Sequence, residues 1–165
     1  MEDSAYYKET FCTYVEFKTK NWADMRGASS GSFRHGIFFS HDTKEFRFWK
    51  KWGKSSKEAF RNVRHELIRL IQQGESLNFE KIHNNKFCQT FKAKVLSLYF
   101  PDLYLPVCSG EHIKYFAQKF RIKTTYLSER QHLLVSAKLR DPKTKDMSSW
   151  EFMRHLYTTY PPPKK

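Results

Sequence analysis

The sequence predicts an α+β fold in which a small antiparallel β-sheet of about three strands precedes a layer of about five α-helices. Before Gly53, apolar residues alternate with polar ones or form short runs, which is typical of strands. After it, apolar residues recur at helical spacing behind capping residues. We therefore expect a β-rich recognition part at 1–53, a helical part at 54–160 packed on it within one domain, and a linker or tail at 161–165.

Three strands are predicted in the β-rich part. Residues 11–20 alternate between two faces, and a Gly/Ser-rich loop at 26–32 follows them. Apolar runs at 35–40 and 45–52 form the second and third strands. Because Asp and Thr favour turns, residues 41–44 are predicted to join these two strands as a hairpin.

The third strand divides its side chains between the core and the solvent. Phe46 and Phe48 share one face, and we expect both in the core. Arg47, Trp49 and Lys51 share the other face, so Trp49 lies among cations where core packing does not require an aromatic ring.

The first helix is predicted from its capping residues. Ser55 and Glu58 form a capping box, and Gly74 is the expected stop after a helix that ends near Gln73. Its cations recur at helical spacing on a face of their own, which we expect to be exposed. The predicted buried stripe consists of Phe60, Val63, Leu67, Leu70 and Ile71.

Four more helices follow by the same reasoning. The segment 87–99 repeats the apolar spacing, and the prolines at its end predict a short extended piece over 101–106. Ser109, Ser128 and Ser148 are the predicted N-caps of the last three helices.

The composition restricts the classes of partner. The 165 residues carry 30 Lys and Arg against 17 Asp and Glu, which gives a net charge of +13. This excess favours an anionic partner. An acidic, polar start argues against a leader sequence, and the lack of a long apolar run argues against a membrane span. The odd number of cysteines argues against a disulfide framework. We therefore expect a cytoplasmic protein. Reduced and mostly buried thiols are predicted for Cys12, Cys88 and Cys108.

The segment 44–64 combines charge with aromatic rings. It contains eight Lys and Arg against Glu45 and Glu58, with four aromatic residues between them. Cations attract a polyanion, and aromatic faces stack on bases, so this composition is typical of a nucleic-acid surface.

Catalytic and metal sites are weaker interpretations. The seven histidines match no metal motif, so we expect scattered surface residues, with neither metal nor cofactor. Glu16 and Lys18 match part of a nuclease motif, but no second carboxylate pairs with them to hold Mg²⁺. Cys108 precedes a helix with His112 four residues on, although a buried structural cysteine is the preferred interpretation. We therefore expect no enzyme activity in this chain.

Two stretches resemble one protein family. Residues 92–116 (KAKVLSLYFPDLYLPVCSGEHIKYF) and 148–162 (SSWEFMRHLYTTYPP) are similar to the region upstream of the GTPase motor in McrB-like subunits of modification-dependent restriction systems. The resemblance implies a DNA-recognition module that selects a site, often a modified base flipped into a pocket. It also implies a motor elsewhere in the protein and a separate McrC-like nuclease subunit. This chain contains no GxxxxGK[ST] motif, so it would hold the recognition half alone.

These observations predict a DNA-binding specificity domain for double-stranded, modified or site-specific DNA. A protein-interaction module and an RNA or single-strand binder remain as alternatives. The predicted phosphate-binding residues are Arg34, Arg47, Lys50, Lys51, Lys54, Lys57, Arg61 and Arg64. The predicted base-reading residues, which would sandwich a base or read its edge, are Tyr14, Trp22, Asp24, Ser29, Ser30, Phe33 and Trp49.

Overall fold

A two-stranded antiparallel sheet precedes six helices in the part of the chain that the structure describes, which confirms the α+β class. The computed structural model describes Val15, Lys18, Thr19, residues 35–40 and residues 42–163. The elements are β1 (Ile37–Ser40), β2 (Glu45–Phe48), a 3-10 turn (Lys50–Trp52), α1 (Ser56–Glu75), α2 (Phe79–Asn84), α3 (Gln89–Tyr99), α4 (Gly110–Lys119), α5 (Leu127–Arg140) and α6 (Ser149–Thr159). The boundary predicted between residues 53 and 54 stays a prediction.

The first predicted strand, 11–20, falls mostly outside the described residues. At Val15 and Lys18 the backbone is π-helical, so the strand prediction is wrong at these two positions. The hydroxyl of Thr19 donates to the carbonyl of Val15 at 2.9 Å, a spacing of four residues that belongs to a helical turn. Val15 itself is buried in the core.

The hairpin is confirmed, although both strands are shorter than predicted. β1 pairs with β2 in a register that sets Phe38 opposite Arg47 and Phe39 opposite Phe46. The chain turns through residues 42–44, where the Ser40 hydroxyl accepts the N–H of Thr43. The strand predicted over 45–52 ends at Phe48, and a 3-10 turn replaces its second half.

Helix α1 starts as predicted and ends later. The Ser55 hydroxyl accepts the N–H of Glu58 at 3.3 Å, whereas the Glu58 carboxylate accepts the N–H of Lys54 at 2.9 Å. Gly74 is not the helix stop but a buried residue inside the last turn. A Cβ at Gly74 would lie 2.3 Å from Cδ2 of Leu96, so glycine is needed for close packing of α1 on α3 rather than for a left-handed backbone.

A first core cluster joins the hairpin side of the molecule to α1, α2 and α3. Trp52 and Phe87 are in contact, with ring centroids 5.1 Å apart, and Val15 lies in the same cluster. Helix α2 is an element that the sequence pattern did not predict. The Lys92 ammonium stabilises its C-terminal end by donating to the carbonyls of Ile82 and His83.

The second ammonium of α3 lies deeper still. Lys94 is fully buried and donates to the carbonyl of Thr19 at 2.6 Å. This bond connects α3 to the N-terminal part of the chain, seventy-five residues away in sequence. Because a buried ammonium requires hydrogen-bond acceptors, this carbonyl contributes to the stability of the core.

A second core cluster joins α4, α5 and α6. The N-caps Ser109 and Ser148 are confirmed, and Ser148 forms a full capping box with Glu151. Ser128 is not a cap: α5 is capped by Tyr126, and Ser128 is buried within the first turn. The prediction of an extended piece over 101–106 is wrong, because residues 101–103 form a turn.

Candidate nucleic-acid interface

The hairpin exposes an aromatic ring that was predicted to be buried. Phe46 is 57% exposed, so its assignment to the core is wrong, whereas Phe48 packs against the first core cluster as predicted. The Phe46 ring contacts Phe39 edge to face, with centroids 5.3 Å apart. The short strands explain the difference, because Phe46 lies near the turn, beyond the reach of the core.

The 3-10 turn separates two tryptophans with opposite environments. Trp52 is buried, whereas Trp49, at the start of the turn, is 50% exposed. Gly53 follows with a φ of +151°, and a Cβ there would lie 2.9 Å from Cγ of Glu58. Glycine therefore lets the chain pass directly from the turn into α1, and the turn packs on that helix.

Lys51 is exposed but structurally engaged. Its ammonium lies over the rings of Trp49 and Trp52, at 4.8 and 5.3 Å from their centroids. It also donates to the carbonyl of Lys86 at 3.0 Å. The Lys51 ammonium, which was predicted to bind phosphate, therefore also holds the Trp49 ring in place.

Cations of the 44–64 segment are segregated from carboxylates. All eight of its Lys and Arg residues are exposed. Glu58 is occupied by the N–H of Lys54, and Glu45 lies at the hairpin turn. Among the described residues, none forms an ion pair with the predicted phosphate-binding residues Arg47, Lys50, Lys54, Lys57, Arg61 and Arg64.

Helix α1 presents a continuous solvent face. Two neighbouring exposed residues recur on each turn of the helix. The first exposed carboxylate after Lys57 is Glu75, the last residue of α1. We define the solvent face of α1 as Lys57, Phe60, Arg61, Arg64, His65, Ile68, Arg69 and Gln72. Phe60 is 61% exposed, so its assignment to the buried stripe is wrong.

Phe60 lies on the border between the solvent face and the packed face of α1. It follows Lys57 by three residues and precedes Arg64 by four, and it also precedes Val63, which packs on the first core cluster, by three. Residues at i+3 and i+4 are neighbours on the helix surface. The buried face is instead centred on Ala59, Leu70 and Gly74.

A shallow cleft lies beside the C-terminal half of α1. It is lined by Arg69, Gln72, Gln73, Ser76, Asn78 and Lys81. Arg69 also pairs with Glu66, with Nη1 and Oε2 3.6 Å apart. The lining contains two cations and no carboxylate, which continues the charge of the solvent face beyond the helix end.

Most predicted base-reading residues fall outside the described part of the chain. These are Tyr14, Trp22, Asp24, Ser29, Ser30 and Phe33, and Arg34 of the phosphate-binding set lies there too. Trp49 is the one member of the base-reading set within the described residues, and it stands beside the cations.

The described residues also bear on a catalytic or metal site. No group of three or more His, Cys, Asp or Glu side chains is placed there to hold a metal ion. Cys108 is buried, as predicted, whereas Cys88 is exposed and His35 is buried, contrary to the predictions for thiols and histidines. His112 contacts the hydroxyl of Tyr157 through Nδ1 at 2.8 Å, and burial raises the pKa of Tyr157 to about 12.

No protein-family model, no curated protein and no solved structure matches this chain. Across the described residues, every helix is too short or too polar to cross a membrane. The functional interpretation therefore depends on the geometry of the surface.

Proposed function

We propose that the chain is a DNA-recognition domain that binds double-stranded DNA through one cationic–aromatic surface. This surface consists of Phe46, Arg47, Trp49, Lys50, Lys51, Lys54, Lys57, Phe60, Arg61 and Arg64. The observation that carries the proposal is the exposure of three aromatic rings among exposed cations on adjacent elements, since β2 and the 3-10 turn both pack on α1.

Charge and exposed rings together distinguish this surface from an ordinary solvated face. Large apolar side chains with high exposure in the described residues are Phe46, Trp49, Phe60, Ile68, Tyr99 and Leu139. Four of these six lie between positions 46 and 68, where the cations also concentrate. A partner that covers both groups must offer negative charge and apolar or aromatic surface, and nucleic acid offers both.

The family resemblance extends the proposal. We place the domain in an McrB-like protein of a restriction system that acts in the cytoplasm against foreign, modified DNA. A GTPase motor in the same protein and an McrC-like nuclease subunit would be its partners, and this domain would itself be no enzyme. A flipped, methylated base is the expected target of this family.

The two stretches that carry the resemblance meet in the fold, where the Ser149 hydroxyl donates to the carbonyl of Pro101 at 2.5 Å. Tyr104 and Phe152, one from each stretch, are both buried. These residues therefore act in packing, and the resemblance rests on packing residues rather than on catalytic ones.

Single-stranded nucleic acid is the second candidate ligand. Exposed rings such as Trp49 and Phe60 can stack on unpaired bases, which is sequence-tolerant binding. A protein-interaction module is the third candidate, in which the charge maintains solubility and the apolar residues contact another protein.

A gel-shift panel separates these candidates. The probes are an unmodified duplex, the same duplex with methylated cytosines, and each single strand. We expect both duplexes to shift at lower protein concentration than the single strands, and a preference for the methylated duplex would support modification readout. Tighter binding of the single strand would favour the second candidate, and no shift with any probe would refute nucleic-acid binding.

A further inference from the structure

We infer that α1 is the element that enters the major groove, with Phe60 and Arg64 facing base edges. This inference rests on the proposed function, because it assumes that the ligand is duplex DNA. It moves base reading from the segment before the hairpin to the middle of a helix and gives Arg64 a role at a base rather than at a phosphate.

The dimensions of α1 suit the groove. Twenty residues make a helix about 30 Å long and, with side chains, about 10–12 Å across, which matches a major groove about 12 Å wide. The residues of its solvent face are exposed from Lys57 to Gln72, whereas the opposite face is packed on the core through Ala59, Leu70 and Gly74. The helix can therefore be covered by a ligand without disturbing the fold.

Cations at both ends of α1 match the path of the DNA backbone. A straight helix meets base edges near its middle and leaves the curving groove at its ends, where the phosphates are. Lys50 and Lys54 lie at the first end, and Arg69 and Lys81 line the cleft at the other. Lys54 and Arg69 are fifteen residues apart, which corresponds to about 22 Å at the usual rise of a helix.

The central residues offer suitable chemistry. Arginine donates two hydrogen bonds to O6 and N7 of guanine in the major groove. A phenyl ring contacts the C5-methyl group of thymine, the one apolar group on a base edge in that groove. Phe60 and Arg64 are four residues apart, so both side chains project from the same face and can contact neighbouring base pairs.

The hairpin rings are less suited to this role. Trp49 carries the Lys51 ammonium over its ring, and that ammonium is held in turn by the carbonyl of Lys86. Because this cation lies over its ring, we expect Trp49 to face phosphates at the edge of the protein–DNA contact. Phe60 carries no such group in the described contacts, so its ring can approach bases.

Photo-cross-linking tests the inference directly. A short duplex with 5-iodouracil in place of thymine carries the reactive group at C5, in the major groove. After irradiation and digestion, we expect cross-linked peptides from residues 57–72. Cross-links that map to the hairpin, with binding intact, would overturn the inference and leave the proposed function standing. Failure of the duplex to bind would refute both, and the gel-shift panel identifies that case.

Matched variants provide the second test. Phe60→Ala is expected to weaken duplex binding about fivefold, because covering an exposed phenyl ring stabilises a complex by about that factor. Leu139→Ala is the control, since Leu139 is 57% exposed on α5, outside this surface. Arg64→Lys keeps the charge but loses the paired hydrogen bonds, so it should flatten sequence preference while the salt dependence is retained.

Self-association is the alternative outcome for an exposed apolar residue. If wild-type protein formed a dimer that Phe60→Ala abolished, with duplex affinity unchanged, the solvent face of α1 would bind a second copy and the inference would be wrong. Sedimentation of both proteins at several concentrations measures this. Because Phe60 is exposed, the variant should fold normally, and circular dichroism would check this.

Discussion

Replacing Lys50, Lys54 and Lys57 together with alanine should change how salt weakens DNA binding. None of the seven cations on the cationic–aromatic surface has a carboxylate partner among the described residues. Lys51 is engaged by the carbonyl of Lys86 and Arg64 is assigned to a base, which leaves five cations for phosphates. Each phosphate neutralised contributes about −0.9 to the slope of log affinity against log salt, so five contacts predict a slope of about −4.5. Removing three of the five should reduce the slope to about −1.8.

The consequence for affinity is large enough to measure. Between about 50 and 200 mM salt, the wild-type protein should lose about 500-fold in affinity and the triple variant about 12-fold. Fluorescence anisotropy with a labelled short duplex gives both slopes. All three lysines are exposed and their side chains make no described contact, so the variant should fold like the wild type.

A second triple variant separates local contacts from overall charge. Lys114, Lys123 and Lys145 are exposed on the α4–α6 side, and their replacement removes the same three charges from a total of +13. This variant should keep the wild-type slope. Equal effects of the two triple variants would refute a localised surface, and a flat wild-type slope would refute phosphate binding itself.

Three further predictions concern the scaffold and are read by urea denaturation. Gly74→Ala should destabilise the fold, because overpacking against α3 costs about 1–3 kcal/mol and offsets the roughly 1 kcal/mol gained in helix propensity. Gly110→Ala is the control and should cost less, because among the described residues a Cβ there meets only Leu127, at 3.1 Å, and Gln89, at 3.6 Å. Ser148→Ala should cost about 1 kcal/mol as a lost N-cap. The backbone N–H and the hydroxyl of Ser148 both lower the pKa of Glu151, so the stability that this carboxylate contributes is lost as the pH falls through its folded pKa. The same variant keeps the backbone bond and loses the hydroxyl bond, so it should make that loss of stability at acid pH somewhat smaller. The pKa of Tyr157 is raised from 10.0 to about 12, so between these pH values the folded chain keeps a proton that the unfolded chain loses. The free energy of unfolding should therefore fall as the pH rises through this range. Tyr157→Phe should reduce this fall, and an unchanged fall would contradict the raised pKa of Tyr157.

Local chemistry predicted the helix starts at Ser55, Ser109 and Ser148 correctly and placed the one at Ser128 incorrectly. Ser148 and Glu151 form a capping box within four residues, so the sequence contains everything that the motif requires. Helix α2 was missed because its six residues are too few to show a periodic pattern. Gly74 was misplaced for a different reason: a glycine near a helix end usually stops the helix, and the contact with Leu96 is invisible without the packing of α3.

The candidate site was predicted in part. The charge of the 44–64 segment is a property of composition, and the exposure of its cations follows from the cost of burying them. The exposure of Phe46 and Phe60 contradicts the general preference of aromatic residues for the core, so a rule based on hydrophobicity places both incorrectly. Such residues are informative, because a ring that the core does not require is available for a ligand.

The two buried ammonium groups of α3 provide an internal standard for chemical footprinting. Reagents that acylate amines need access to the nitrogen, and in the folded state Lys92 and Lys94 are enclosed and bonded to backbone carbonyls. Their labelling would therefore report the unfolded fraction of the sample. Lysines of the 3-10 turn and the first turn of α1 would label readily in the free protein and be protected only by bound ligand. One experiment would thus measure occupancy and structural integrity within the same molecule.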